Sequence, residues 1–321
     1  MPEIFNYQWP QCFIKKVKFI NYSNGKTNKI KKEIEEFFSK KLFSNAVLFP
    51  SARSCVGAII EFNKLGRKNE VYVNKWVSNC LFNTIGFYSN PTINLNDPDL
   101  FIFNNLWGVK QKIFEKVKLK KKVKLIDDSC DSILLNKSSI FPNNSEYEIF
   151  SLPKIIGSVS GGVVISKNEK FISFCINRQK KNKKLGILQS KLKFSELNQK
   201  SFIDYRYKEP INSYLEKNGL VDILNKLKNY EVNKNLIIKR IKILRNYINF
   251  KIDHNRVGPV IAIDLRKLKN QNELKKYFLI RHKLTNYKKN HSNKYLLFPL
   301  HFKISEQRFN NYIKVLKKNI K

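Results

Sequence analysis

The sequence predicts an α/β protein: a three-layer domain with a mostly parallel central sheet over residues 1–235, and a smaller C-terminal α+β domain over 236–321. Three observations carry this. Between residues 46 and 126, short apolar runs alternate with segments of helical apolar spacing, the pattern of repeated strand–helix units covered on both faces. The chain has 321 residues, enough for one large α/β domain and a smaller one. Its apolar fraction of 42%, with 24 Phe and 14 Tyr, supports a substantial core and excludes a disordered chain.

The elements follow in order. Residues 1–26 read as an irregular arm packed on the body, with Trp9, Phe13, Phe19 and Tyr22 among polar positions. Thr27 or Asn28 caps a helix to about Phe43, whose apolar face is Ile30, Ile34, Phe37, Phe38 and Leu42. Ala46–Phe49 is a strand and Pro50-Ser-Ala-Arg-Ser54 a turn opening a helix with Val56, Ile59, Ile60 and Leu65 inward. Strands are expected at Glu70–Val73, Thr92–Leu95, Leu100–Phe103 and Val123–Ile126, and helices at Trp76–Ile85 and Trp107–Val117. Glu148–Ser166 reads as strand, turn and strand, with Lys154 at the turn just past a Pro and before the Gly161-Gly162 pair. Beyond it the chain turns basic and helical: Glu169–Lys180, polar helices through about Tyr230, and Asn233–Phe250. The closing unit comprises strand Val257–Leu265, helix Asn272–Lys283, strand Tyr295–Pro299 and helix Ser305–Lys318.

The formal charge is +37. It suits anionic partners such as nucleic acid, a membrane surface or phosphorylated substrates. Lys and Asn are nevertheless spread along the whole chain, as compositional drift at exchangeable surface positions would leave them. The five Cys, at 12, 55, 80, 130 and 175, are widely spaced in apolar or small-residue contexts with no CxxC pair, and read as reduced, buried thiols. The chain has no apolar run long enough to span a bilayer and its first residues lack a signal-peptide pattern, which predicts a soluble, cytoplasmic protein.

Four polar features fall at the carboxyl ends of predicted strands, where ligands of such sheets bind. Ser51-Ala-Arg-Ser54 opens a helix, so it is either an ordinary cap or an anion site. Trp76 follows a strand end, as a core residue or a plate for a flat ring. Asp127-Asp128 closes a buried strand, with Asp131 three residues on, and a carboxylate there needs a positive partner. The four His (254, 282, 291, 301) lie far downstream, and a protonated ring nitrogen would serve the carboxylate as well as a metal. Lys154 is either a surface charge or a nucleophilic amine. Pyridoxal phosphate calls for all four: an anion cradle, an aromatic plate, a carboxylate for its pyridine nitrogen and a lysine for the Schiff base.

With those residues in view, the chain resembles the DegT/DnrJ-type sugar aminotransferases, a branch of the fold-type I pyridoxal phosphate enzymes. Ser51-Ala-Arg-Ser-Cys55 is similar to the family's phosphate turn, Asn74-Lys-Trp-Val-Ser78 to its ring-stacking segment and Asn105-Leu-Trp-Gly108 to its strand-end motif closing on Gly. Leu125-Ile-Asp-Asp-Ser-Cys-Asp131 resembles the family's Ile-Glu-Asp-Ala-Ala-Gln/His motif. Phe150-Ser-Leu-Pro-Lys154 with Gly161-Gly162 resembles its lysine segment, and Phe298-Pro-Leu-His301 with Ser305-Glu306 its last strand and helix. The chain departs from the pattern at Asp131, where the family carries Gln or His near the cofactor's phenolic oxygen, and in the shorter Ser151–Lys154 spacing.

The resemblance implies a cofactor, pyridoxal 5'-phosphate, and roles for seven residues. Lys154 is the Schiff-base lysine and proton carrier, and Asp128 the partner of the pyridine nitrogen. Trp76 fixes the ring plane, Arg53, Ser54 and Ser151 hold the phosphate, and Asp131 sits beside the phenolic oxygen. It further implies glutamate as donor, a nucleotide-linked sugar as acceptor, surface polysaccharide such as O-antigen as destination, and a homodimer into whose neighbouring site Asp204-Tyr-Arg206 reaches. No metal is implied. A divergent or non-catalytic member of the same fold is the nearest alternative. A basic nucleic-acid-binding protein is the rival from another class, against which stands the lack of any zinc-finger, RNP-like or helix-turn-helix signature.

Overall fold

A computed structural model describes residues 9–10, 27–42, 44–111, 123–134, 140–181, 214–251, 256–282 and 294–321. In chain order the elements are α1 (Thr27–Leu42), β1 (Asn45–Phe49), α2 (Ala52–Phe62), β2 (Glu70–Tyr72), α3 (Asn79–Tyr88), β3 (Asn90–Thr92), β4 (Leu100–Asn104), β5 (Lys124–Asp128) and β6 (Ile133–Leu134). They continue with β7 (Tyr147–Ser151), α4 (Leu152–Ile156), β8 (Gly162–Ser166), α5 (Glu169–Lys181), α6 (Lys217–Leu227) and α7 (Tyr230–Arg245). The chain closes with β9 (Arg256–Val257), β10 (Val260–Asp264), α8 (Gln271–Leu274), β11 (Leu279–His282), β12 (Lys294–Pro299) and α9 (Glu306–Lys318).

The large sheet has the order β1-β8-β7-β5-β4-β2-β3. From β7 through β5, β4 and β2 to β3 every pairing is parallel, whereas β8 runs antiparallel to both β7 and β1. The reversal follows from chain length: residues 152–161 are too few for the crossover that a parallel return needs. Alternation along β8 shows how two faces are buried at once. Val163 and Ile165 join a core shared with α1, α6, α7 and the C-terminal unit, while Val164 joins a second core with α2, β4 and α5. A three-stranded antiparallel sheet, β10-β12-β11, forms the C-terminal unit. Helix α9 packs on it through Phe309 and Tyr312, which meet Phe298 and Phe278.

Several elements differ from expectation. Trp76 lies before α3 rather than in it, because the Asn74 side chain accepts a bond from the Trp76 N–H and holds the segment in a turn. The strand expected at 92–95 closes earlier, at Thr92. The helix expected from Trp107 is a 3-10 turn, Leu106–Gly108, with Trp107 at φ 56°, and positions 112–117 lie outside the described residues. Lys154 sits in the short helix α4, not in an open turn. Pro153 lies in the first turn of that helix, and Gly157, at φ 68°, ends it in the left-handed conformation. The strand expected at 257–265 is split at Gly258-Pro259 into β9 and β10. The helix expected at 272–283 stops at Leu274, and Leu279–His282 instead extends the small sheet as an edge strand against β12. Of the arm, only Trp9 and Pro10 are described, and the basic stretch 182–213, with Asp204-Tyr-Arg206, lies outside the described residues. Among the described residues no helix is long and apolar enough to cross a membrane.

Candidate active site

The end of β5 gives its two aspartates opposite faces, as alternation requires. Asp127 is fully buried and serves the scaffold: it accepts from Asn105 Nδ2 at 2.9 Å, Asn143 Nδ2 at 2.7 Å and Ser145 Oγ at 2.5 Å. Asp128 faces the other way. Its carboxylate accepts from Asn104 Nδ2 at 2.9 Å and from the Cys130 N–H at 3.1 Å. Burial pushes the Asp128 carboxyl up, while the Cys130 thiol and the Lys154 charge draw it down and Asp131 raises it again. A desolvated carboxylate so placed favours a cation in front of it.

The lysine segment and the Ser51 turn are brought together by sheet register. Gly162 pairs with Phe49 on one side and Ser151 on the other, so the turn that follows β1 and the serine that precedes Lys154 flank one glycine. The Gly161 N–H donates to the Pro50 carbonyl at 2.8 Å, and the Leu152 N–H to the Gly161 carbonyl at 3.1 Å. A Cβ on Gly162 would come within 2.3 Å of the Ala52 nitrogen, a backbone atom that has nowhere to go. Ser51 caps α2, its hydroxyl accepting from the Ser54 N–H at 3.2 Å and lying 3.0 Å from Ser54 Oγ. Ser54 and Ser151 are buried, and Arg53 is half-buried in the first turn of α2. The N-terminus of α2 and the hydroxyls of Ser51 and Ser54 thus lie beside the lysine segment, with Arg53 in the same helical turn, an arrangement suited to a phosphate group.

Lys154 Nζ lies 2.6 Å from Asp131 Oδ1. The Trp9 ring covers the same nitrogen at 4.9 Å from its centroid. Burial pulls the lysine down, but the facing Asp131 carboxylate more than reverses this, and Lys154 holds its proton above the ordinary lysine range. Trp76 is half-buried, 5.0 Å from the Tyr295 ring and 6.2 Å from Trp107, so the aromatic group over Lys154 is Trp9 and not Trp76. Arg281, from β11, donates to the Val77 carbonyl at 2.9 Å and ties the Trp76 turn to the C-terminal sheet.

Behind these groups runs a buried polar chain. Arg256, on β9, donates to Ser129 Oγ at 2.6 Å and to Glu148 Oε1 at 2.8 Å, and Ser129 donates to Glu148 at 2.5 Å. Arg256 and Glu148 are both wholly inaccessible to solvent. Burial and then the neighbouring Asp127 raise the Glu148 carboxyl, against the pull of Arg256 and two hydrogen bonds. The two-stranded β6–β9 ladder places Arg256 directly beyond the Asp131 turn. Among the described residues no group of three His, Cys, Asp or Glu side chains is disposed to hold a metal ion.

Sequence reasoning singled out Lys154, Asp128, Asp131, Trp76, Arg53, Ser54 and Ser151. Asn104, Cys130, Trp9 and the Arg256–Glu148 pair were missed. Asn104 ends the same strand that was read as Leu100–Phe103, and the placement of a polar residue at a buried strand end was its signal. Arg256 carried none, because one basic residue among so many is indistinguishable by type.

A family model described as "Putative PLP-dependent aminotransferase" matches residues 34–320. No curated protein sequence matches the chain. Solved structures do. A DegT DnrJ EryC1 StrS aminotransferase from Brucella abortus superposes with TM-score 0.59 at 11% identity, over 92% of this chain and 90% of that one. DesI, determined in the presence of its TDP-sugar product, gives 0.64 at 12% identity, over 93% and 85%. A GDP-4-keto-6-deoxymannose-3-dehydratase with a trapped PLP-glutamate geminal diamine gives 0.62 at 16% identity, over 90% and 92%.

Proposed function

The chain belongs to this family of pyridoxal-phosphate-dependent aminotransferases, and from that premise we propose that it moves an amino group from glutamate to a keto group of a nucleotide-linked sugar. The observation that carries the reading is the meeting of the lysine segment, the Asp128 strand end and the Ser51 turn along β1, β8, β7 and β5. These residues fit the cofactor. Asp128 is a partly desolvated carboxylate suited to a pyridinium, and Lys154 is the amine that reaches the same space. The α2 N-terminus with Arg53, Ser54 and Ser151 receives the phosphate, and Trp76 bounds the ring.

When bound, pyridoxal phosphate supplies an electron sink for the charge left as a proton leaves the donor's α-carbon. The chain's own residues would do the rest: Asp128 would keep the ring nitrogen protonated, Trp76 and the Ser51 turn would fix the plane and the phosphate, and Lys154, once neutral, would take the proton from the donor's α-carbon and return it two atoms further on, to the carbon on the other side of the nitrogen. The donor and acceptor assignments draw support from the neighbours that hold a PLP-glutamate adduct and a TDP-sugar product. We infer a cytoplasmic homodimer serving surface-polysaccharide synthesis, and a use for the basic surface in drawing in a diphosphate-bearing substrate.

The reading is tested with purified protein loaded with pyridoxal phosphate and given glutamate without acceptor. One equivalent of 2-oxoglutarate is expected, with loss of the cofactor's visible absorbance. Release of no 2-oxoglutarate, with the visible band unchanged, would refute glutamate as the donor.

A further inference from the structure

Lys154 is surrounded by groups that favour its charged form. Asp131 Oδ1 stands 2.6 Å from Nζ, and its side chain is only 7% exposed against 28% for the lysine, so little water competes for the pair. The Trp9 ring lies over the same nitrogen, a second contact that stabilises a cation. The other titratable groups facing it are Asp128 on β5, Cys130 in the turn after β5, and Cys80 on α3. Burial holds the Cys130 thiol well above its usual range, so it stays neutral and the anions at hand are the two aspartates. No cation among these groups competes with Lys154 for Asp131.

An amine attacks a carbonyl only as the neutral base, so a lysine paired in this way is chemically quiet. Deprotonation would leave a nearly buried carboxylate facing a neutral amine, which the low exposure of Asp131 makes unfavourable. We propose that Asp131 is a positioning residue that locks Lys154 as an ammonium ion in the cofactor-free chain, so that the amine is released for reaction only when the carboxylate is drawn away from it. The proposal rests on Lys154 being the reacting amine of the function inferred above. It adds a control on when that amine can react. A bound cofactor that brings its own anion or its own hydrogen-bond donor to this corner is the natural competitor for either member of the pair.

The test uses the full chain stripped of cofactor and treated with a limiting amount of 2,4,6-trinitrobenzenesulfonate, from about pH 7 to about pH 11, the span across which lysines titrate. The neutral amine forms a bond to the aryl carbon, sulfite leaves and a proton goes to solvent. Peptide mapping then compares labelling of Lys154 with that of Lys32, whose side chain is 80% exposed. In the unaltered chain the Lys154 profile is expected to have its midpoint above that of Lys32, and at about pH 9 to lag it at least tenfold. Asp131→Asn is expected to lower the Lys154 midpoint by about one pH unit or more, speeding labelling by about tenfold, whereas Asp131→Glu retains the slow profile. An Asp131→Asn chain with a raised plateau but an unmoved midpoint would show that access alone had changed, and would overturn the lock. So would a wild-type midpoint at or below that of Lys32, a result that needs no variant to fold. Because no cofactor is present, the two readings fail separately: a chain that shows the lock yet stays colourless with pyridoxal phosphate refutes the enzyme reading, and a yellow chain without the midpoint difference refutes the lock.

Discussion

Replacing Lys154 by Ala is expected to lower transamination by about 10³-fold or more, the scale of a lost proton carrier and nucleophile acting at one atom. Lys154 is held in a short helix, Leu152–Ile156, that ends at Gly157 and directly follows a strand of the large sheet, so its nitrogen has a fixed origin. Its charge bears directly on the Asp128 carboxyl. The variant leaves Asp131 without its partner but, with Lys154 at the rim rather than inside the core, far-ultraviolet circular dichroism should be unchanged. Lys154→Arg separates the two roles: a guanidinium restores a cation beside Asp131 and should recover thermal stability, while turnover stays lost. Rates with glutamate, read beside melting curves for both variants, check the prediction.

Arg256→Met should cost about 3–5 kcal/mol of folding stability, because it strands the Glu148 carboxylate in a site with no access to water. The pair also sets the Asp131 turn through Ser129, so the loss is felt at the site and not only in the core. The pH dependence has a definite sign. Burial already raises the Glu148 carboxyl above its unfolded value, and removing the arginine takes away the main opposing pull. A carboxyl raised on folding contributes stability that is intact below its unfolded value, about 4.3, and lost as pH rises through its folded value. The deficit of Arg256→Met should therefore shrink as the solution is acidified toward that value. Adding Glu148→Gln should recover much of it at neutral pH. Urea midpoints of the three proteins across that range provide the measurement.

How much of this was legible in the sequence depended on whether a residue's role was local. Most strands of the large sheet followed from apolar runs, and Asp127-Asp128 was read at the end of its strand because the apolar run stops there, while the mostly parallel order followed from the alternation. Lys154 was found by its neighbours in the chain, Pro153 and the Gly161-Gly162 pair. The same neighbours also contained the signal for α4 that was passed over: a Pro in the first helical turn and a Gly just past the end. The helix expected at 272–283 failed for the opposite reason. Its apolar spacing was compatible with a helix, but Leu279 and Ile280 have a sheet edge to join at β12, and tertiary pairing prevailed over local periodicity. Contacts made across long separations left no trace. The Trp9 ring over Lys154, the Arg256–Glu148 pair and the turning of Asp131 onto Lys154 each depend on where the folded backbone brings two distant segments.

Asp131 shows how the two levels combine. In sequence it is a carboxylate where a neutral side chain is expected, a second negative charge near Asp128. In the structure that charge faces Lys154 instead, and the apparent defect becomes a pairing.

The claim that Lys154 captures pyridoxal phosphate is tested most directly by adding the cofactor to the purified chain, treating it with borohydride and mapping the modified peptide. A yellow protein is expected, whose visible band borohydride removes, with the cofactor's mass on the peptide that carries Lys154. A chain that stays colourless, or one whose label falls on any other lysine, would contradict it.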